Sequence, residues 1–142
     1  MSTFHRNIRC LVLAAAAGLI SISYAGIAAA GDVVVVMAAG SPAPTKEQIA
    51  NVYLGRSTEL KPLDLPESSP ARQYFYKKAT DRDAAQVKAV WSRIVFTGQG
   101  KPPKELADAA AVKKAVAADP KAVGYILKSD VDSTVKVILS LD

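Results

Sequence analysis

The residues with most to offer chemically sit in one short stretch, "LDLPESSPARQYF" (63–75). It holds two carboxylates, Asp64 and Glu67, spaced three apart, the hydroxyls of Ser68 and Ser69, and the guanidinium of Arg72. Carboxylates at that spacing could do general acid–base work. Serines and an arginine at a helix start suit a small anion instead, because that end offers unpaired amides and a partial positive charge. Ser69-Pro70 reads as such a start, with Ser69 as N-cap and Pro70 at the first helical position. Arg72 then falls at the third position, where the macrodipole favours Glu or Gln. An anion seated there would account for it. The plainer alternative is a capping serine, worth about 1 kcal/mol, beside an arginine that points outward and pairs with Glu67 or Asp64.

Most other chemistry is excluded by what the chain lacks. Its one histidine, His5, and one cysteine, Cys10, both lie near the N-terminus. That region runs from His5, Arg6 and Arg9 through "CLVLAAAAGLISI" to "AGIAAAGD", where Ala28 and Ala30 supply a small-residue cleavage pattern. Residues 1–30 therefore read as a secretory signal peptide. The apolar run is short for a membrane span, and Cys10 lacks the preceding apolar stretch of a lipid-attachment cysteine. The expected product is a soluble, exported domain of 112 residues, 31–142, small enough for a single core. Without His or Cys it has no disulfide, no Ser-His-Asp or Cys-His nucleophile, and no His- or Cys-based metal site. No catalytic residue, metal or cofactor is expected. An enzyme would have to rest on Asp64 and Glu67, which read equally well as loop charges.

Without Arg6 and Arg9 there remain 16 basic and 13 acidic residues, a net charge of +3. The lysines are dispersed rather than clustered, which argues against nucleic acid. A mild positive field would suit small anions, and an ordinary solvated surface explains it too.

The elements that must position the site alternate between strand and helix patterns. "VVVVM" (33–37) is a β-branched run suited to a central strand covered on both faces, as in a parallel sheet. Thr45 and Gln48 form a capping box, Ile49, Val52 and Tyr53 a helical face, and Gly55 a helix stop. "LKPLDL" (60–65) is a short strand that Pro62 marks as an edge or a strand start. Ala71, Tyr74, Phe75 and Ala79 share a helical face after Ser69. Asp83 caps a helix with the stripe Val87, Val90, Trp91, Ile94 and Val95, on which Trp91 reads as core. "TGQGKPPKEL" (97–106) is a loop. A phosphate-binding Walker loop would need glycine at Val95 and Ser or Thr at Pro102, so a nucleotide site is rejected. Asp108 caps a last helix, and "AVGYIL" and "STVKVILSL" close the chain as strands. The predicted order is β-α-β-α-α-α-β-β, a three-layer α/β domain.

Three segments in this order resemble a known family. "IANVYLGR" (49–56) is similar to the segment ending the first helix in phosphate-binding proteins of bacterial ABC importers, which are type II periplasmic binding proteins. "DPKAVGYI" (119–126) resembles their Pro-x-Ala-Ile/Val-Gly-Tyr segment, and "LDLPESSPARQYF" their strand, Ser-rich turn and phosphate-holding helix. The resemblance implies a mostly parallel sheet like one lobe of such a protein. It implies a periplasmic solute-binding-like function in transport, with a small oxyanion, most simply phosphate, as ligand and an ABC importer as partner. Ligand contacts would come from Ser68, Ser69 and Arg72, joined by Gly40 and Ser41 in the turn after the first strand, since ligands of open α/β sheets gather at the carboxyl ends of strands. The family's Ser-Gly-Thr is here Ser69-Pro70-Ala71, and Pro70 removes a donor. Asp64 stands where family members carry an arginine. With one lobe and two repelling carboxylates, the implied affinity is about millimolar to high micromolar. The alternative is a non-catalytic interaction or sensor module on a lobe that has lost its ligand, presented to an exported or membrane-bound partner.

Overall fold

A computed structural model describes residues 32–141; the expected signal peptide lies outside the described residues. The chain forms strand β1 (Val33–Ala38), helix α1 (Lys46–Tyr53), β2 (Lys61–Asp64), α2 (Pro70–Thr80), α3 (Ala84–Phe96), β3 (Lys104–Glu105), α4 (Ala109–Ala118), β4 (Ala122–Leu127) and β5 (Val135–Ser140), with a short 3-10 turn (Lys128–Asp130) before β5. The sequence reading lacks the 3-10 turn and one strand, β3, a two-residue strand directly after Pro102-Pro103 in the Gly/Pro-rich loop.

The helix starts follow the local chemistry. Thr45 and Asp83 each close a reciprocal capping box, with Gln48 and Gln86. Asp108 accepts from the Ala111 N–H at the start of α4. Gly55, at φ +73°, turns the chain away after α1.

The five strands form one sheet in the order β3-β2-β4-β1-β5. β2 runs parallel to β3 and β4, whereas β1 runs antiparallel to β4 and β5. The α/β class holds, and four of the five strands share one direction, with β1 alone reversed. The valine run of β1 is central and buried on both faces, as its composition demands, yet it runs against its neighbours. Pro62 is tolerated inside the sheet because Lys61 donates its N–H towards β4 (to the Lys121 carbonyl, 2.9 Å), so the next residue's missing N–H faces the other side. There β3 pairs only with Leu63 and Asp64.

Helices cover both faces of the sheet. α1 and α2 lie on one side, where Phe75 stacks on Tyr125 at 4.0 Å between ring centroids and Tyr53 packs edge-on against both. α4 lies on the other, directly over Gly124. Successive side chains of β4 therefore divide the work, Tyr125 facing α2 and Gly124 making room for α4. The fully buried Tyr53 hydroxyl donates to the carbonyls of Leu63 (2.7 Å) and Val123 (3.1 Å), joining α1 to β2 and β4. On α3 the stripe holds at Val87 and Trp91 but runs out, leaving Val95 49% and Phe96 92% exposed.

A Cβ at Gly124 would lie 2.5 Å from the Val112 Cγ1. Gly124→Ala is therefore expected to push α4 off the sheet and lower stability by about 1–3 kcal/mol. Urea unfolding checks this; an unchanged midpoint would mean that α4 does not depend on that approach.

Candidate functional site

Asp64 ends β2 with a carboxylate that is only 4% exposed. A buried charge needs several partners, and four groups supply them. Oδ1 accepts from the Leu65 N–H at 2.9 Å and from the Tyr125 hydroxyl. Oδ2 accepts from the Tyr76 hydroxyl at 2.6 Å and faces the Arg72 Nη2 at 3.5 Å. Burial first, then the Asp64 charge and the hydrogen bonds to it, push both phenols far above the ordinary tyrosine range. Both therefore stay protonated and keep donating.

Arg72 lies inward rather than outward, its side chain 12% exposed. Nη1 donates to the Leu65 carbonyl at 3.0 Å and approaches the Glu105 carboxylate at 3.6 Å. The guanidinium carbon sits 5.7 Å from the Tyr76 ring centre. Nε is buried and has no hydrogen-bond partner among the described residues. The arginine at the third position of α2 is thus matched by a negative group, and that group belongs to the chain itself.

Ser69 occupies the N-cap position as its sequence predicts, but its hydroxyl caps nothing. The N–H groups of Arg72 (3.1 Å) and Gln73 (3.4 Å) both turn to the Ser69 carbonyl, a tight first turn that leaves the side-chain oxygen without an amide. Ser68 is exposed on the same turn. Glu67 does not join Asp64. It pairs with Lys88 at 2.7 Å, and that hydrogen bond, more than the Lys88 charge, holds its carboxyl below the usual range. The two carboxylates considered for acid–base work are each committed elsewhere.

Gly40 and Ser41 are not at this site. Because β1 runs antiparallel to β4, and β4 parallel to β2, the turn after β1 lies at the opposite end of the sheet from the turn after β2. Ser41 is buried there and its hydroxyl donates to the Pro120 carbonyl at 2.9 Å, fastening the β1–α1 turn to the turn before β4. Gly40 serves that turn with φ +86°. The expected convergence of the two turns does not occur.

Beside Asp64 and Arg72 opens a cleft of about 420 Å³, walled by Tyr76, Trp91, Val95, Pro103 and Glu105, with Glu67 and Lys88 at its rim. Its acidic groups, Asp64, Glu67 and Glu105, outnumber Arg72 and Lys88. Tyr76 and Glu105 are the contributors that sequence reasoning missed. The signal for the first was the Arg72–Tyr76 spacing of one helical turn; Glu105 gave none, since its place depends on how the preceding loop folds. Among the described residues no group of three or more His, Cys, Asp or Glu is placed to hold a metal ion, and no helix is long and apolar enough to cross a membrane.

Asp64→Asn leaves Arg72 buried without its carboxylate and is expected to destabilise the protein by about 3–5 kcal/mol. Glu67→Gln, at an exposed carboxylate, should leave the unfolding midpoint in place. Equal, small effects of the two variants in urea titrations would overturn the assignment of Asp64 as the central group.

No family model matches the sequence, and no curated protein matches it. Solved structures do resemble it. An ABC-type phosphate transport receptor from Vibrio cholerae superposes with a TM-score of 0.58 at 19% identity, over 75% of this chain and 45% of that one. A putative phosphate ABC transporter substrate-binding protein from Clostridium perfringens, solved with bound phosphate, gives 0.60 at 18%, over 75% and 44%. The chain spans less than half the length of these proteins, and at such identity the likeness is one of fold: a mixed α/β lobe of the kind found in phosphate-binding proteins.

Proposed function

We propose that this chain is a solute-binding-like lobe without chemistry of its own, whose anion position is held by the Asp64 carboxylate, and that it acts by binding another protein. The observation that carries this reading is the Asp64–Arg72 contact at 3.5 Å, supported by two tyrosine hydroxyls and a backbone amide on the same carboxylate. A phosphate approaching Arg72 would have to displace Asp64 while facing Glu67 and Glu105, like charges in a partly desolvated cleft. The neighbours are a transport receptor and a substrate-binding protein rather than enzymes, in keeping with binding without catalysis. The signal-peptide pattern of residues 1–30 supports a partner among exported or membrane-bound proteins.

A second reading keeps the small oxyanion, phosphate above all, with an ABC importer as partner. It is favoured by the phosphate bound in the Clostridium perfringens neighbour, by the unpartnered Arg72 Nε, and by the Ser69 hydroxyl that caps no amide. In this form binding would be weak, about millimolar, since one open lobe leaves water competing for every hydrogen bond.

Calorimetric titration of the purified protein with phosphate and sulfate at low ionic strength separates the two, with Ser69→Ala as a variant that leaves the buried network intact. The first reading expects no saturable heat at millimolar anion from the folded protein. Saturable binding of phosphate that weakens in Ser69→Ala would overturn it in favour of the second.

A further inference from the structure

The Gly/Pro-rich loop at 97–104 takes no direct part in the Asp64–Arg72 network, yet it is closely fitted to the end of α3. The N–H groups of Gly98 and Gln99 return to the carbonyls of Val95 (3.0 Å) and Ile94 (3.1 Å), turning the loop back on the helix. A Cβ at Gly100 would lie 3.3 Å from the Ile94 Cγ2. One at Gly55, across the way, would lie 2.6 Å from the Ile94 Cδ1 and 3.1 Å from Trp91. The indole is fixed by its N–H, which donates to the Tyr53 carbonyl at 2.8 Å. Two backbone segments thus close on Trp91 and Ile94, tightly at Gly100 and, at Gly55, so near that a side chain would force a shift.

A groove of about 500 Å³ lies between them, floored by Trp91, Ile94, Val52 and Leu60. Past Val52 and Leu60 it continues into a second hollow of about 550 Å³ walled by Pro42, Pro44 and Pro120. This second hollow adjoins the turns before α1 and β4, at the sheet end away from the Asp64 carboxylate. Lys61, Lys101, Lys104 and Lys121 stand along the groove, against two acids, Glu59 and Asp119. Asp119 is already paired with Lys61 at 2.7 Å. Among the described residues neither Lys101 nor Lys104 makes an ion pair. The floor is apolar, the rim carries excess positive charge, and Ser57, Thr58 and Gln99 set amide-sized polar groups between them.

From this we infer that the groove docks an extended, acidic and apolar peptide segment of a partner protein. Apolar side chains would lie on Trp91, Ile94 and Leu60, carboxylates would meet Lys101 and Lys104, and the peptide main chain would find the polar groups of the walls. A lipid chain would suit a closed, wholly apolar tunnel better than this open and partly polar channel. The inference gives the protein-binding reading its surface and rests on that reading for the existence of a partner. The groove and the Asp64 cleft meet at Trp91 and Pro102, but Lys101 belongs to the groove and Arg72 to the cleft, so phosphate and peptide titrations can still fail independently.

Trp91 is the only tryptophan in the chain; it borders both the groove and the Asp64 cleft, so its emission reports on either, and the Lys101 and Lys104 variants assign the response to the groove. The purified protein is titrated with a short synthetic peptide of alternating leucine and glutamate, with the same peptide carrying lysine for glutamate, and with oleate. The expected result is a saturable shift of Trp91 emission with the glutamate peptide, weakening with salt, absent with the lysine peptide, and weakened at least about tenfold in the double variant Lys101→Glu, Lys104→Glu. Circular dichroism verifies that variant's fold, and Lys101→Gln, Lys104→Gln replaces it if it does not fold. No saturable shift at millimolar glutamate peptide, an equal response to both peptides, or indifference to the lysine substitutions overturns the inference. A response to oleate alone also overturns it and makes the groove a site for an anionic lipid.

Discussion

Everything at the carboxyl end of the parallel strands depends on keeping one carboxylate, Asp64, charged inside the protein. Water is replaced there by four donors from three elements: the Leu65 amide beyond β2, the Tyr125 hydroxyl of β4, and the Tyr76 hydroxyl and Arg72 guanidinium of α2. A buried charge that loses one of several partners is more expensive than a neutral group in the same position. The position of α2 on the sheet is therefore fixed by electrostatic demand as well as by the Phe75–Tyr125 stack. The same demand explains why α2 begins without a side-chain cap or an acidic first turn. Its negative counterpart comes from β2, by way of Arg72.

Strand direction decides what else can reach that carboxylate. β2, β3 and β4 are parallel and deliver their carboxyl ends to one side, whereas antiparallel β1 delivers its own to the other. A ligand gathered at the strand ends of a wholly parallel sheet would meet both turns at once. In this mixed sheet it meets only one, and Ser41 spends its hydroxyl on the Pro120 carbonyl. The topology thus separates the turn after β1 from the Asp64 carboxylate, and the groove runs along the β2 edge between them.

Much of the framework was legible because it is written in local chemistry. Thr45 with Gln48, Asp83 at the start of α3 and Asp108 at the start of α4 specify helix starts within a few residues. The apolar spacing of α3 predicted the burial of Val87 and Trp91. The direction of β1 was not legible, because side-chain alternation looks the same read either way along a strand and an all-valine run carries no polarity. Arg72 could not be placed for a related reason. Its partners come from β3 and from the end of β2, so its direction is settled by tertiary assembly. A hint lay in "PLDL", where an acid alternates with leucines at a strand tip and so faces either burial or the rim of a site.

The Asp64 site and the groove beside it also differ in what they leave unsatisfied, and this bears on recognition. At the Asp64 end the carboxylate is answered inside the fold, and an incoming anion would have to break contacts before making any. In the groove along the β2–β3 edge, Lys101 and Lys104 carry charge that no acidic side chain among the described residues answers, beside apolar surface on Trp91 and Ile94 that the core does not fully cover. A partner gains from groups whose demands the fold has not already met, since such contacts form without dismantling others. On that ground the groove has more to offer an incoming partner than the Asp64 carboxylate beside it, whose hydrogen bonds the fold already supplies.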